Sequence, residues 1–197
     1  IGDEEWPWLS VILATASETT ADDLRQILSA LPTPVFLDLP IPGKTSELLP
    51  IVVEHCRSDE DPGDAPGEVR ASEDRRSGLL SIGLCGDAVD DDLRQLGQFR
   101  WLQSVELNSV SNLTDEAVRI LGQHPHIQRF RGVLIQETQV TNEGVREFLE
   151  QATALRVLNL NQTAITDAGV AHLAGHPSLV HVHLQSTAIT DASLTSL

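Results

Sequence analysis

The 197-residue sequence contains no methionine, only two cysteines and few basic or aromatic side chains. Thirteen Lys and Arg residues stand against 29 Asp and Glu, which gives a formal net charge of -16. A protein that binds nucleic acid non-specifically, or that lies on an anionic membrane surface, needs a basic face. The composition therefore disfavours both classes. A basic protein partner stays compatible with it, and so does a simple role of the acidic charge in solubility.

The two cysteines, Cys56 and Cys85, are far apart and form no CxxC pair, so they indicate neither a disulfide framework nor a zinc site. Their scarcity favours a reducing compartment such as the cytoplasm. No apolar run reaches membrane-spanning length, and the acidic start at residues 1–5 is unlike a signal peptide. Because the chain lacks an initiator methionine and stops inside a repeated unit, we expect it to be a piece of a longer protein.

The sequence does contain an internal repeat. Residues 155–173 read LRVLNLNQTAITDAGVAHL, and residues 179–194 repeat the pattern as LVHVHLQSTAITDASL. A unit that recurs at a period in the twenties predicts a solenoid. Less regular copies start at Leu79, at Leu102 and at either Ile127 or Phe130, the second of which matches the pattern better.

One unit can be interpreted physically from its side chains. The spacing of Leu158 and Leu160 predicts that both lie on one face of a strand. Thr163 follows at the turn, where its hydroxyl can bond backbone groups. Thr166 is placed to cap the next helix, and Asp167 adds negative charge at the positive end of that helix.

The chain divides into three parts by pattern and composition. We predict degenerate repeats over residues 1–56, an acidic mobile insertion loop over 57–78, and regular repeats over 79–197, truncated at the C-terminal end. Residues 57–78 contain two Pro-Gly steps, many charges and little aliphatic side chain, so they cannot bury enough apolar area to offset their ordering entropy. The loop could dock a basic partner or be inert, and we favour the inert alternative.

The pattern resembles the leucine-rich repeat family, in the subtype that pairs each strand with an α-helix, as in ribonuclease inhibitor and F-box adaptors. The resemblance implies an α/β solenoid with parallel strands on the concave face and helices on the convex face. At the strand-to-turn position, where the family has asparagine or cysteine, this chain has Thr138, Thr163 and Thr187, or Asp87 in the unit from Leu79. The turn geometry could therefore differ from that of the family.

Side chains between the core leucines should point out from the concave face, which solenoids commonly use for binding. We predict a protein-binding surface there, although these could be merely solvated strand positions. Its candidate residues are Glu106, Asn108, Gln136, Asn159, Asn161, His181, His183 and Gln185.

Other polar features favour structural roles. His181 and His183 could chelate a metal, but no third ligand is evident, so we predict a solvated pair and no metal or cofactor. His124-Pro125 and His176-Pro177 stand at matching points of two units. They indicate a helix exit, where a helix ends and the chain leads into the next strand. Cys85 is expected to pack as a small side chain, and the acidic run from Asp90 is expected at a helix start.

No nucleophile, phosphate-loop or HExxH motif is present. We therefore predict a non-enzymatic protein-interaction module whose partner is a protein of unknown identity, with no nucleic acid and no membrane contact from this segment. Two alternatives stay open: a substrate-recruiting arm of a ubiquitin-ligase-like complex, and a structural spacer in a larger multidomain protein.

Overall fold

Strands and helices alternate along the chain in a computed structural model of the protein. The structure describes residues 10–12, 20–30, 36–39, 45–56, 81–86, 88–100 and 102–195. The predicted insertion at 57–78 lies outside these ranges, as do Lys44 and Asp87. The strands are β1 (Ser10–Ile12), β2 (Phe36–Leu39), β3 (Ser81–Cys85), β4 (Ser104–Asn108), β5 (Gly132–Leu134), β6 (Val157–Asn159) and β7 (His181–His183).

The helices follow the strands one by one. The α-helices are α1 (Ala21–Ser29), α2 (Thr45–Cys56), α3 (Asp115–Gly122), α4 (Asn142–Gln151) and α5 (Asp167–Leu173). Among the described residues, three stretches are 3₁₀ helices: Asp90–Gln98, Ile127–Arg129 and Asp191–Thr195. No helix among the described residues is both long and apolar enough to cross a bilayer.

All seven strands form one parallel sheet in the order in which they occur along the chain. The fold is an α/β leucine-rich repeat solenoid, with the strands on the concave face and the helices on the convex face. β2 pairs with β3, with Leu37 opposite Ile82, so the strands that precede and follow residues 57–80 are neighbours in one sheet. Ser46 Oγ in α2 also donates to Asp92 Oδ2 at 3.0 Å, so the packing continues through the helical layer as well.

The core lies between the two layers and is built from equivalent residues of successive units. Val105, Val133 and Leu158 occupy one register row of the sheet, and each is fully buried. This register settles the start of the third unit at Phe130, because Phe130 is buried like its equivalent Leu155. The extra residues before Phe130 form the short 3₁₀ helix, which ends with Phe130 N–H donating to Ile127 O at 3.0 Å.

The helical segment of the unit from Leu79 differs from expectation. Its acidic start predicted an ordinary helix, but Asp90–Gln98 is a 3₁₀ helix. This unit is the shortest of the regular ones. Since a 3₁₀ helix rises about 2.0 Å per residue against about 1.5 Å for an α-helix, fewer residues can span the same height of the solenoid.

Each unit turns out of its strand through one residue with positive φ. The φ angles lie between 55° and 73° at five equivalent positions, Gly86, Ser109, Glu137, Gln162 and Ser186. This left-handed conformation is uncommon for residues other than glycine. Its recurrence shows that stacking of the units imposes one turn geometry, even where the local side chain disfavours it.

The threonine that follows closes the turn within its own unit. Thr138 Oγ1 donates to Ile135 O at 2.8 Å, and Thr163 Oγ1 donates to Leu160 O at 2.6 Å. Both threonines are buried. The predicted bond from Thr163 to turn backbone is therefore confirmed, and it lies inside the unit rather than between units.

Candidate functional site

The predicted concave residues lie on one face of the sheet. Glu106, Asn159 and His183 belong to one register row, in which Glu106 pairs with Leu134, Leu134 with Asn159, and Asn159 with His183. His181 belongs to the neighbouring row and pairs with Val157. Glu106 and Asn159 alternate with buried core residues, as a period of two requires, whereas on β7 the residue between the two histidines, Val182, is 36% exposed.

A second row follows where the strands end. Backbone bonds continue the parallel ladder there: Ser109 N–H donates to Gln136 O at 3.3 Å, and Glu137 N–H donates to Asn161 O at 3.0 Å. Gln162 N–H likewise donates to Gln185 O at 2.8 Å. The ladder brings together four of the five amide side chains of the predicted surface, which are Asn108, Gln136, Asn161 and Gln185.

Two asparagine side chains of this surface form hydrogen bonds within the sheet and are not simply solvated. Asn159 Nδ2 donates to Gln136 Oε1 at 3.1 Å, and Asn159 Oδ1 accepts from Asn161 N–H at 3.0 Å. Asn161 Oδ1 accepts from Gln185 N–H at 2.7 Å. Asn159 and Asn161 therefore link three units, a structural role that the sequence analysis did not assign to them.

The two ends of the surface differ in exposure. Glu106, Asn108 and Gln136 are half-buried, whereas His181, His183 and Gln185 are exposed. Asn108 Oδ1 is buried without a hydrogen-bond partner among the described residues. The middle of the face is thus tightly packed, and the side chains best placed to meet a partner lie toward β7.

No metal centre forms around the histidine pair. Within the ranges that the structure describes, no group of three or more His, Cys, Asp or Glu residues has the arrangement to hold a metal ion. His181 and His183 stand on β7 without a third ligand of these types beside them. The side chain of Cys85, which ends β3, lies outside the described part of the chain.

The acidic residues at the helix starts form a ladder between units, which sequence analysis missed. Asp115 accepts from the N–H and Oγ1 of Thr141, both at 2.7 Å. Asp167 accepts from the N–H and Oγ1 of Thr190 at 2.8 and 2.7 Å. These donors hold the pKa of Asp167 below its usual range. Asp90 binds the threonine of its next unit in the same way.

One rung of this ladder is different and corrects a prediction. Thr166 was expected to cap α5 through its side chain, but no such cap bond forms. Its Oγ1 accepts from Asn142 Nδ2 at 2.8 Å, while Asn142 Oδ1 accepts from Thr166 N–H at 3.0 Å. An asparagine amide nitrogen donates, whereas an aspartate carboxylate only accepts. Asn142 therefore occupies the Thr166 hydroxyl oxygen, which in units such as those of Thr114 and Thr141 accepts from a backbone N–H of the following helix.

Glycine is required beside this ladder. A Cβ on Gly144 would overlap the carboxylate of Asp115, and a Cβ on Gly169 would overlap the amide of Asn142. Glycine occupies this position in two of the four rungs, within TNEG at 141–144 and TDAG at 166–169, whereas the other two rungs have Ala117 and Ser193 there. Thr and Asp provide the bonds between units, and glycine leaves room for the neighbour's side chain.

The His-Pro pairs close the helix exits, as predicted. His124 is buried, its Nε2 lies 2.9 Å from Leu96 O, and its Nδ1 accepts from His126 N–H at 3.0 Å. Nε2 must therefore carry the proton, so the ring is neutral. Burial lowers the pKa of His124. His176 Nδ1 similarly accepts from Leu179 N–H at 3.2 Å.

Comparisons with known proteins agree with this architecture. No protein-family model matches the chain, and no curated protein matches it in sequence. A crystal structure of the Rad7 and Elc1 complex from yeast matches with a TM-score of 0.61 and 16% identity, over 91% of this chain and 51% of that one. An internalin from Listeria monocytogenes matches with a TM-score of 0.47 and 14% identity, over 91% and 55% of the two chains.

These likenesses concern the fold. The chain spans about half the length of both solved structures. The similarity to the yeast structure supports the leucine-rich repeat solenoid that the strand order and the repeated turns define. At this level of identity it carries no residue roles and no partner.

Proposed function

We propose that this chain is a non-enzymatic protein-interaction module whose concave face binds a protein partner. The observation that carries the proposal is the pair of register rows that run across β4 to β7. They present carboxylate, amide and imidazole groups on one continuous surface. A partner that crosses several strands can contact many such groups at once, because neighbouring residues within a row are separated by the strand spacing of about 4.8 Å.

The binding residues proposed are those of the predicted surface, with the largest contributions expected from its exposed end. His183 and Gln185 are exposed, and neither side chain forms a hydrogen bond within the described residues. Asn159 and Asn161 are less suitable as probes, because their amides also join neighbouring units. No contact among the described residues favours the recruiting-arm or spacer alternatives.

The test compares two variants of matched composition. One carries His183→Ala and Gln185→Ala on the concave face, and the control carries His172→Ala and Gln123→Ala at exposed sites on the helical side. Proteins captured by the immobilised chain are quantified by mass spectrometry. We expect the concave variant to lose a specific partner that the control retains, with equal thermal unfolding. Equal capture by both variants would contradict the assignment to this end of the face.

A third variant tests the other end of the surface. Glu106→Ala removes the carboxylate from the β4 end of the same register row without changing β7. Loss of capture in this variant alone would show that the partner binds near β4 and not near β7. Equal capture by all three variants and the unmodified chain would contradict the concave-face proposal as a whole.

A further inference from the structure

Within the regular units, the two lateral edges of the solenoid carry opposite charge; the acidic residues 57–78, which join α2 to β3, lie outside the described part of the chain. Strands end and helices begin at one edge, where the aspartates of the inter-unit ladder lie. Helices end and strands begin at the other edge, through connections at 99–103, 123–131, 152–156 and 174–180. These four connections contain no Asp or Glu, in a chain that has 29 of them. Their basic residues, here called the basic edge, are Arg100, Arg129, Arg131 and Arg156.

Arginines elsewhere on the regular units are already neutralised by carboxylates. On the convex helices, Arg94 pairs with Glu116 at 3.0 Å, and Arg119 pairs with Glu147 at 3.0 Å. Arg146 pairs with carboxylates of its own helix at 2.5–2.6 Å. These bonds form a network across the helical layer, so the convex face presents little unbalanced positive charge.

Two arginines of the basic edge have no such partner. Arg131 Nη1 donates to the carbonyl oxygens of Gln128, Phe130 and Ala154 at 3.1–3.3 Å, and these neutral acceptors leave its charge in place. The exposed side chain of Arg156 forms no hydrogen bond or ion pair with any described residue.

The same two arginines stand side by side. Arg156 N–H donates to Arg131 O at 2.9 Å, which places them on adjacent strands about 4.8 Å apart. Like charges in such pairs are destabilising. Positive charge also acts elsewhere along this edge. The pKa of His126 is lowered mainly by burial of its ring, and further by the nearby charges of Arg129 and Arg100.

The helix dipole does not account for this arrangement. Cations are favoured near the negative end of a helix, but the effect falls off within the last turn. Arg131 and Arg156 lie beyond α3 and α4, immediately before the strands β5 and β6. Their position is therefore set by the edge of the sheet and not by the helix ends.

We propose that the basic edge binds a short acidic segment of a partner protein. Arg131 and Arg156 occupy equivalent positions in successive units, and Arg129 and Arg100 lie in the same set of connections, which suits an extended segment that carries several carboxylates. At physiological salt a charge acts over about 8 Å, so a short segment experiences the local arginines. A long polyanion such as DNA would also meet the net charge of -16. This proposal does not depend on the concave face.

The experiment measures binding of a fluorescein-labelled peptide of alternating glutamate and serine by fluorescence anisotropy at low ionic strength. Arg156→Glu should weaken the affinity about fivefold to tenfold, whereas Arg156→Lys should retain it because the charge is kept. The control is Arg25→Glu, which makes the same change in net charge on α1, where Arg25 pairs only locally with Asp22 at 2.9 Å.

Several results would overturn the proposal. Equal affinities of Arg156→Glu and Arg25→Glu would show that only net charge matters. If a peptide with glutamine in place of glutamate bound equally well, the carboxylates would not be what the basic edge recognises. Tighter, Arg156-dependent binding of duplex DNA would assign the edge to phosphate groups instead. Binding of the glutamate peptide that depends on Arg156 and weakens as salt rises supports it.

Discussion

Two units of this solenoid have almost the same sequence but very different surroundings. The unit from Leu155 and the terminal unit, residues 179–195, share the pattern of leucines and the TAITDA segment. Leu158 is fully buried, whereas its register partner Val182 is 36% exposed. Among the described residues the first unit is stacked on both sides and the terminal unit on one side only.

The comparison shows that burial belongs to the stack and not to the unit. Ile165 is fully buried, while Ile189, its equivalent in the terminal unit, is only partly buried. A single strand and helix cannot cover their own apolar face, so each unit depends on its neighbours for stability. The same residue type at the same repeat position should therefore contribute differently in the two places.

The largest difference is expected from core leucines. Leu160→Ala should lower the free energy of unfolding by about 2–5 kcal/mol, because Leu160 is fully buried and its truncation leaves a cavity between stacked units. Leu184→Ala in the terminal unit should cost clearly less, since Leu184 is only partly buried. Urea unfolding of both variants measures the difference. Equal losses would contradict the view that stacking, rather than the unit itself, provides the burial.

A smaller difference is expected from the aspartate ladder. Asp115→Ala removes the acceptor of the Thr141 N–H and hydroxyl and should cost about 1–3 kcal/mol. Asp191→Ala, at the equivalent position of the terminal unit, should change stability little, because the described residues include no further unit whose threonine could bind it. Thermal unfolding distinguishes the two. A comparable loss in Asp191→Ala would mean that the aspartate acts mainly on its own helix.

The smallest difference concerns pH and the helix exits. His124 is 5% exposed, and burial lowers its pKa, so unfolding takes up a proton as the pH falls through about 6.5. Stability should therefore be complete above this range and decline below it. His124→Asn should remove part of this decline between neutral and mildly acidic pH. The change should be smaller in His176→Asn, because His176 is less buried.

Chemical unfolding at a series of pH values measures this effect. The free energy of unfolding of each variant is compared with that of the unmodified chain at the same pH. A pH profile for His124→Asn that parallels the unmodified chain would show that another group dominates the acid response.

Much of the fold could be predicted from particular residues. The spacing of Leu155, Leu158 and Leu160 defines a strand that enters a core. Its recurrence predicted the solenoid, and the resemblance to the leucine-rich repeat family implied the parallel sheet. Leu48, Leu49, Val52 and Val53 have the spacing of one helix face, and the structure places them, buried, on the helix Thr45–Cys56. The spacing of apolar residues indicates which face of a strand or helix is buried, so it was sufficient to predict these elements.

The candidate site was less predictable. Alternation placed the concave residues on one face, but it did not reveal that the Asn159 amide is used by Gln136 and Asn161. Likewise, Asp167 was assigned to its own helix, although it binds Thr190 of the next unit. Both cases involve partners about one repeat away, which a local pattern does not specify. The division of the chain at 57–78 and the binding residues themselves stay predictions.

The sequence by itself determined the unit: its strand, its threonine turn, its capped helix and the face that each element buries. Only the tertiary structure decided how units meet. Stacking imposed the left-handed turns, joined aspartates to threonines across units and placed Arg131 beside Arg156 at one edge. The physical reason is that these contacts form between residues of different units, whose relative position is set by packing of the whole array.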